Sequence, residues 1–88
     1  MTINKQKILD NLCYTGLVYG RINKKLNLNL SREQIEALIF KILRETDVGF
    51  FTKTGKNVYV VNREERIRIT IHSNTFRIIT VDKMHNLY

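Results

Sequence analysis

The residues of this chain best equipped for chemistry are cations. Arg66, Arg68 and Arg77 carry guanidinium forks that match phosphate and carboxylate oxygens, and Lys53, Lys56 and Asn57 fall within the short run Thr52-Lys53-Thr54-Gly55-Lys56-Asn57. What these groups do well is hold an anion. Gly55-Lys56 lacks the first glycine and the four-residue spacer of a Walker phosphate loop, and no helix is expected after it, so nucleotide hydrolysis is not expected. A hairpin tip with two ammonium groups and free backbone amides still suits a phosphate. The two histidines, His72 and His85, stand in no metal-ligand spacing with Cys13 or with paired carboxylates, so neither a metal nor a cofactor is expected. Tyr59, Arg68, His72 and Arg77 would supply a base and phosphate-stabilising groups for a small metal-independent ribonuclease, but nothing in the set fixes a nucleophile. A binding role is expected over catalysis.

Composition narrows the partner. Eighty-eight residues make one domain, and a hydrophobic share of 43% supplies a core while 26% charged residues match a globular surface. Fifteen Lys and Arg against eight Asp and Glu leave +7, a potential that favours nucleic acid, an acidic protein face or anionic lipid. The single cysteine, Cys13, excludes an internal disulfide and lies in an apolar stretch with Ile8, Leu9 and Leu12, so it is expected to be a small core residue in a reducing compartment. Without a secretory signal or a run of ~18 apolar residues, the expected location is the cytoplasm, with no membrane contact.

The elements that must position the cations change character half-way along. Ile8, Leu9 and Leu12 recur at helical spacing within Asn4–Cys13, and Leu17, Val18, Ile22 and Leu26 do so in a second segment that contains Gly20. Leu26, Leu28 and Leu30 alternate in what reads as an extended connector tucked under the helices. Ser31 with Gln34 forms a capping box for a third helix, whose Ile35, Leu38, Ile39, Ile42 and Leu43 make the clearest apolar stripe. After Asp47-Val48-Gly49 the residues turn aromatic and β-branched. Phe50–Lys53 and Val58–Val61 form one hairpin around Thr54-Gly55-Lys56-Asn57, and Arg66–Ile71 and Thr75–Val81 form another around His72-Ser73-Asn74. The expected fold is α+β: two or three N-terminal helices (1–47) packed on one face of a four-stranded antiparallel meander (48–83), with a short tail (84–88).

Alternation then assigns faces. Ile67, Ile69 and Ile71 share the buried side of the third strand, leaving Arg66, Arg68, Thr70 and His72 opposite. In the fourth, Phe76 and Ile78 turn inward, and Thr75, Arg77, Ile79 and Val81 turn outward. Arg66, Arg68 and Arg77 are therefore expected on one sheet surface, with Glu64, Glu65 or Asp82 as their available carboxylates. Of the strand aromatics, Tyr59 and one of Phe50 and Phe51 are expected to be free of the core, where bases can stack.

Thr52-Lys53-Thr54-Gly55-Lys56-Asn57-Val58-Tyr59, the stretch Ile69–Lys83, Tyr19-Gly20-Arg21-Ile22 and Leu26-Asn27-Leu28 together resemble an uncharacterised family of small bacterial proteins, a domain of unknown function. The resemblance covers nearly the whole chain and implies no activity. The functional expectation therefore rests on chemistry: a non-enzymatic module that binds nucleic acid or another polyanion through Lys53, Lys56, Asn57, Arg66, Arg68 and Arg77. The alternatives are an inhibitor or toxin-antitoxin component docking an acidic protein, the small ribonuclease, and a winged-helix DNA-binding protein with Ser31–Glu45 as recognition helix. Open sheet edges leave homodimer formation available in each case.

Overall fold

The computed structural model describes residues 3–84. His85 and most of the expected tail lie outside them. Three helices, α1 (Lys5–Asp10), α2 (Gly16–Leu26) and α3 (Arg32–Glu45), precede a 3-10 turn at Val48–Phe50 and four strands, β1 (Phe51–Thr54), β2 (Asn57–Asn62), β3 (Ile67–His72) and β4 (Ile78–Lys83). The sheet is antiparallel in the order β1-β2-β3-β4, as a meander of hairpins requires. Its inner face carries Phe51, Val58, Val60, Ile67, Ile69, Ile71, Ile78 and Val81, which form a single core with Ile8, Val18, Ile22, Leu26, Ile35, Ile39, Ile42 and Leu43 of the helices. This is the expected α+β layering, and it is not a winged helix: α3 spends its apolar stripe on the core and a full sheet replaces the wing.

Local chemistry explains each boundary. Ser31 Oγ accepts from the Gln34 N–H and the Gln34 side chain accepts from the Ser31 N–H, the capping box expected of α3. At the other end of α3, Lys5 Nζ donates to the carbonyls of Arg44 (2.7 Å) and Thr46 (2.5 Å), satisfying groups the helix leaves orphaned and complementing its dipole. Thr46 and Asn62 are both buried; Asn62 Nδ2 donates to Thr46 Oγ1 and Asn62 Oδ1 accepts from the Glu65 N–H. That polar chain fixes the end of α3 against the β2–β3 turn.

Four expectations need correction. Leu17 is 81% exposed, because α2 begins at Gly16 and its first turn overhangs the core. The connector does not tuck all three leucines under the helices: Leu26 belongs to α2 and is buried, Asn27 ends α2 in the left-handed conformation, the Asn23 amide pairs with both backbone groups of Leu30, and Leu28 is left exposed. Cys13 is exposed rather than core. It forms an isolated parallel bridge with Arg77, its N–H donating to the Phe76 carbonyl and its carbonyl accepting from Ile78, so the backbone around it covers the edge of β4. Val81 is fully buried rather than outward. Thr70 pairs with Thr80 while Ile71 pairs with Ile78, so Ile79 is an extra residue, a bulge that reverses the faces of β4 beyond it.

Candidate nucleic-acid interface

The bulge decides which side chains share the outer face. Beyond Ile79, Thr80 and Asp82 turn outward, and the register aligns them with β2 and β3 in rows: Thr52–Tyr59–Thr70–Thr80, and Val61–Arg68–Asp82. Asn57 opposes His72 at one end. Thr70 is buried although it faces outward, its short side chain flanked by Tyr59 and Thr80. Tyr59 stands beside it, with the Asn57 Nδ2 donating to its hydroxyl (3.3 Å) and the Arg68 guanidinium 5.9 Å from its ring centroid, a cation over an aromatic face. As expected, Tyr59 and Phe50 are partly exposed while Phe51 is buried.

At its β4 edge this face meets α2. Leu17, Gly20, Arg21, Lys24 and Lys25 occupy positions i, i+3, i+4, i+7 and i+8, one face of the helix, adjoining the buried stripe Val18, Ile22 and Leu26. Gly20, Arg21, Lys24 and Lys25 line an open groove of about 760 Å³ with Thr80 as its sheet-side wall. Arg21 is shared with a smaller depression that holds Thr15, Leu17, Arg77 and Ile79. Asp82 lies at the junction: its Oδ1 is 2.9 Å from Lys25 Nζ and its Oδ2 is 3.7 Å from Arg68 Nη2. The carboxylate thus ties the helix to the sheet and holds two cations on opposite sides of itself. Half of the Arg68 side chain, 47%, stays in water.

The six residues singled out from sequence do not converge. Arg68 and Asn57 belong to the outer face. Arg77 precedes the bulge and sits near Arg21 at the α2 groove, not beside Arg68. Arg66 is in the left-handed conformation (φ 56°) in the turn before β3, where strand alternation does not orient it. Lys53 points to the helix side, lining a cleft of about 330 Å³ with Asn4, Lys7, Ile8, Ser73, Asn74 and Phe76. Lys56 occupies the hairpin turn beside Gly55, whose φ of 61° is the conformation that glycine supplies there, and its carbonyl accepts from the Ser73 N–H. Sequence reading missed Arg21, Lys24 and Lys25; their helical spacing was the available signal.

Two further sets of titratable groups were candidates for chemistry. His72 Nδ1 accepts from the Asn74 and Thr75 N–H groups, so that nitrogen closes the hairpin loop. Between α2 and α3, Tyr14 stacks on Tyr19 at 5.6 Å, Tyr19 donates to Glu36 Oε2 at 2.6 Å, and Arg32 lies 5.0 Å over the Tyr19 ring. Burial, then the Glu36 carboxylate, raises the Tyr14 pKa well above the ordinary tyrosine value, and the hydrogen bond to Glu36 raises that of Tyr19. Both hydroxyls therefore stay protonated where a general base would need to be ionised. Among the described residues no group of three or more His, Cys, Asp or Glu could hold a metal, and no helix is long and apolar enough to cross a membrane.

The family described as "Protein of unknown function (DUF3781)" matches residues 6–82, which takes in all three helices and the sheet to Asp82. The chain belongs to that family. No curated protein and no solved structure matches. In this DUF3781 protein the outer sheet face with Tyr59 and Arg68 is bordered by the cations of α2.

Proposed function

We propose that this protein is a non-enzymatic module that binds nucleic acid along the α2 groove and the adjoining outer face of the sheet. The observation that carries the reading is the alignment of Arg21, Lys24 and Lys25 on one side of α2, beside Thr80, with Arg77 at one end and Arg68 across Asp82. Five cations around one carboxylate produce a strip of positive potential that a phosphate backbone can follow, releasing counterions as it binds. Lys24 and Lys25 also complement the C-terminal end of the α2 dipole, but Arg21 and Arg77 have no such role.

Salt titration is the direct test. Affinity for a mixed-sequence oligonucleotide is expected to fall with ionic strength with a log-log slope of about minus three to minus five, as roughly that many phosphate contacts require. The double variant Arg21→Glu, Lys24→Glu is expected to abolish binding with only a small fall in melting temperature, since both side chains lie outside the core and, of the two, only Lys24 sits in the last turn of α2. No binding at low salt, or binding indifferent to that variant, defeats the proposal.

One observation favours a second reading. Leu17, 81% exposed beside Arg77 and Ile79, gives the end of the groove an apolar contact of the kind an acidic protein partner would cover. A partner recovered from lysate that survives nuclease treatment and is lost with Leu17→Ser would replace the nucleic-acid reading with that one.

A further inference from the structure

Resting on the nucleic-acid reading, we infer that the ligand is a single strand, whose bases lie on the Tyr59–Arg68 platform while its phosphates follow the α2 groove.

Shape is the first argument. A duplex is read by an element that projects into a groove, whereas α2 lies along the β4 edge with its apolar stripe buried and its cations facing a groove walled by the sheet. α3 is committed to the core through Ile35, Ile39, Ile42 and Leu43 and carries Glu33 in its first turn. The outer face is a sheet surface of short Thr side chains with one ring rising from it, a form that admits splayed bases and not a closed base pair.

Chemistry is the second. The Arg68 guanidinium lies over the Tyr59 ring and is half exposed, so a base stacks on the guanidinium plane or takes its place on the ring. Asn57, held by the Tyr59 hydroxyl, and His72 opposite it put hydrogen-bonding groups at the margin of the platform. From Tyr59 on β2 to Thr80 on β4 is two strand spacings, roughly 10 Å, so a backbone in the α2 groove lies within reach of a base on the platform. Phosphate and base recognition are thus laid side by side across β3 and β4. The helix-side cleft with Lys7 and Lys53 opens on the other face and takes no part.

The experiment is fluorescence anisotropy with fluorescein-labelled oligo(dT) and oligo(rU) of about 12 nucleotides, long enough for a single small fold, against a duplex of the same length, at about 50 and 200 mM salt. The single strands are expected to bind at least about tenfold more tightly than the duplex. Tyr59→Ala is expected to weaken single-strand binding about 5- to 100-fold, the loss of one stacked base, with the salt slope unchanged. Tyr59→Phe is expected to keep most of that affinity, and melting temperatures of both variants serve as the folding control. Equal or tighter duplex binding, or a neutral Tyr59→Ala, overturns the single-strand inference and leaves the anion-binding reading standing. Failure of every probe at the lower salt overturns both.

Discussion

The two faces of the sheet are made of different amino acids and are under different physical demands. On the inner side Val58, Val60, Ile67, Ile69, Ile71, Ile78 and Val81 are all buried against helices, so every position is set by volume and by exclusion of water. The outer side alternates with it except at the Ile79 bulge and carries Thr52, Asn57, Tyr59, Val61, Arg68, Thr70, His72, Thr80 and Asp82, of which Thr70 is buried. Asn62 sharpens the contrast: it is polar yet buried on the inner side, with its amide satisfied at both ends, whereas Lys53 on that side is exposed. Stability resides in one face, while the other is free to meet a ligand. Substitutions should therefore separate cleanly by face.

The largest effect belongs to the core. Ile39→Ala, at a side chain with no exposure, is expected to cost about 2–5 kcal/mol in denaturant unfolding. The protein that remains folded should bind oligonucleotide with an unaltered salt slope; a changed slope would mean that the two faces are not independent. Asn62→Ala comes next. It leaves the Glu65 N–H without its acceptor and Thr46 without a donor, for an expected loss of about 1–3 kcal/mol and again no change in binding.

Outer-face changes should invert that profile. Asp82→Asn removes the one carboxylate between Lys25 and Arg68, a pair of partly exposed contacts worth at most about 1 kcal/mol each. Affinity for a polyanion is expected to rise several-fold. Weaker binding would show instead that Asp82 serves by positioning the two cations. The smallest effect is at the stacked tyrosine pair: absorbance at 295 nm should show Tyr14 and Tyr19 ionising above the ordinary tyrosine pKa near 10. A folded-state pKa above the unfolded one contributes stability that is complete below the unfolded value and is lost as pH climbs through the folded one. Stability should therefore hold from neutrality to about pH 10 and fall beyond it, and Tyr14→Phe should abolish the latest-titrating group.

Much of this was legible in the sequence, and the failures have physical causes. α3 announced itself because its stripe runs for three turns from a capping box, and the inner face of β3 because three isoleucines alternate without interruption. Beyond Arg77 the reading slipped. Ile78, Ile79 and Val81 are all apolar, so alternation alone cannot tell a regular strand from one with an extra residue, and the shift moved Val81 to the core. Arg66 and Arg77 looked like strand residues but lie just outside β3 and β4, where the backbone turns. The basic side of α2 was visible as a spacing, yet it acquired significance only when the helix was found along the β4 edge, a tertiary fact that no local pattern encodes.

That edge has a consequence for the order in which the protein assembles. The three strand pairings are hairpins between chain neighbours and close quickly, whereas the short parallel pairing of Cys13 with Arg77 joins residues near opposite ends of the chain and must wait for them to meet. The N-terminal strap is thus expected to be the last segment to lock and the first to release, with the Cys13 and Ile78 amides exchanging their hydrogens sooner than those between β2 and β3. Each such release would bare the backbone groups at the start of β4, adding them to the edge that β1 already presents to a second molecule.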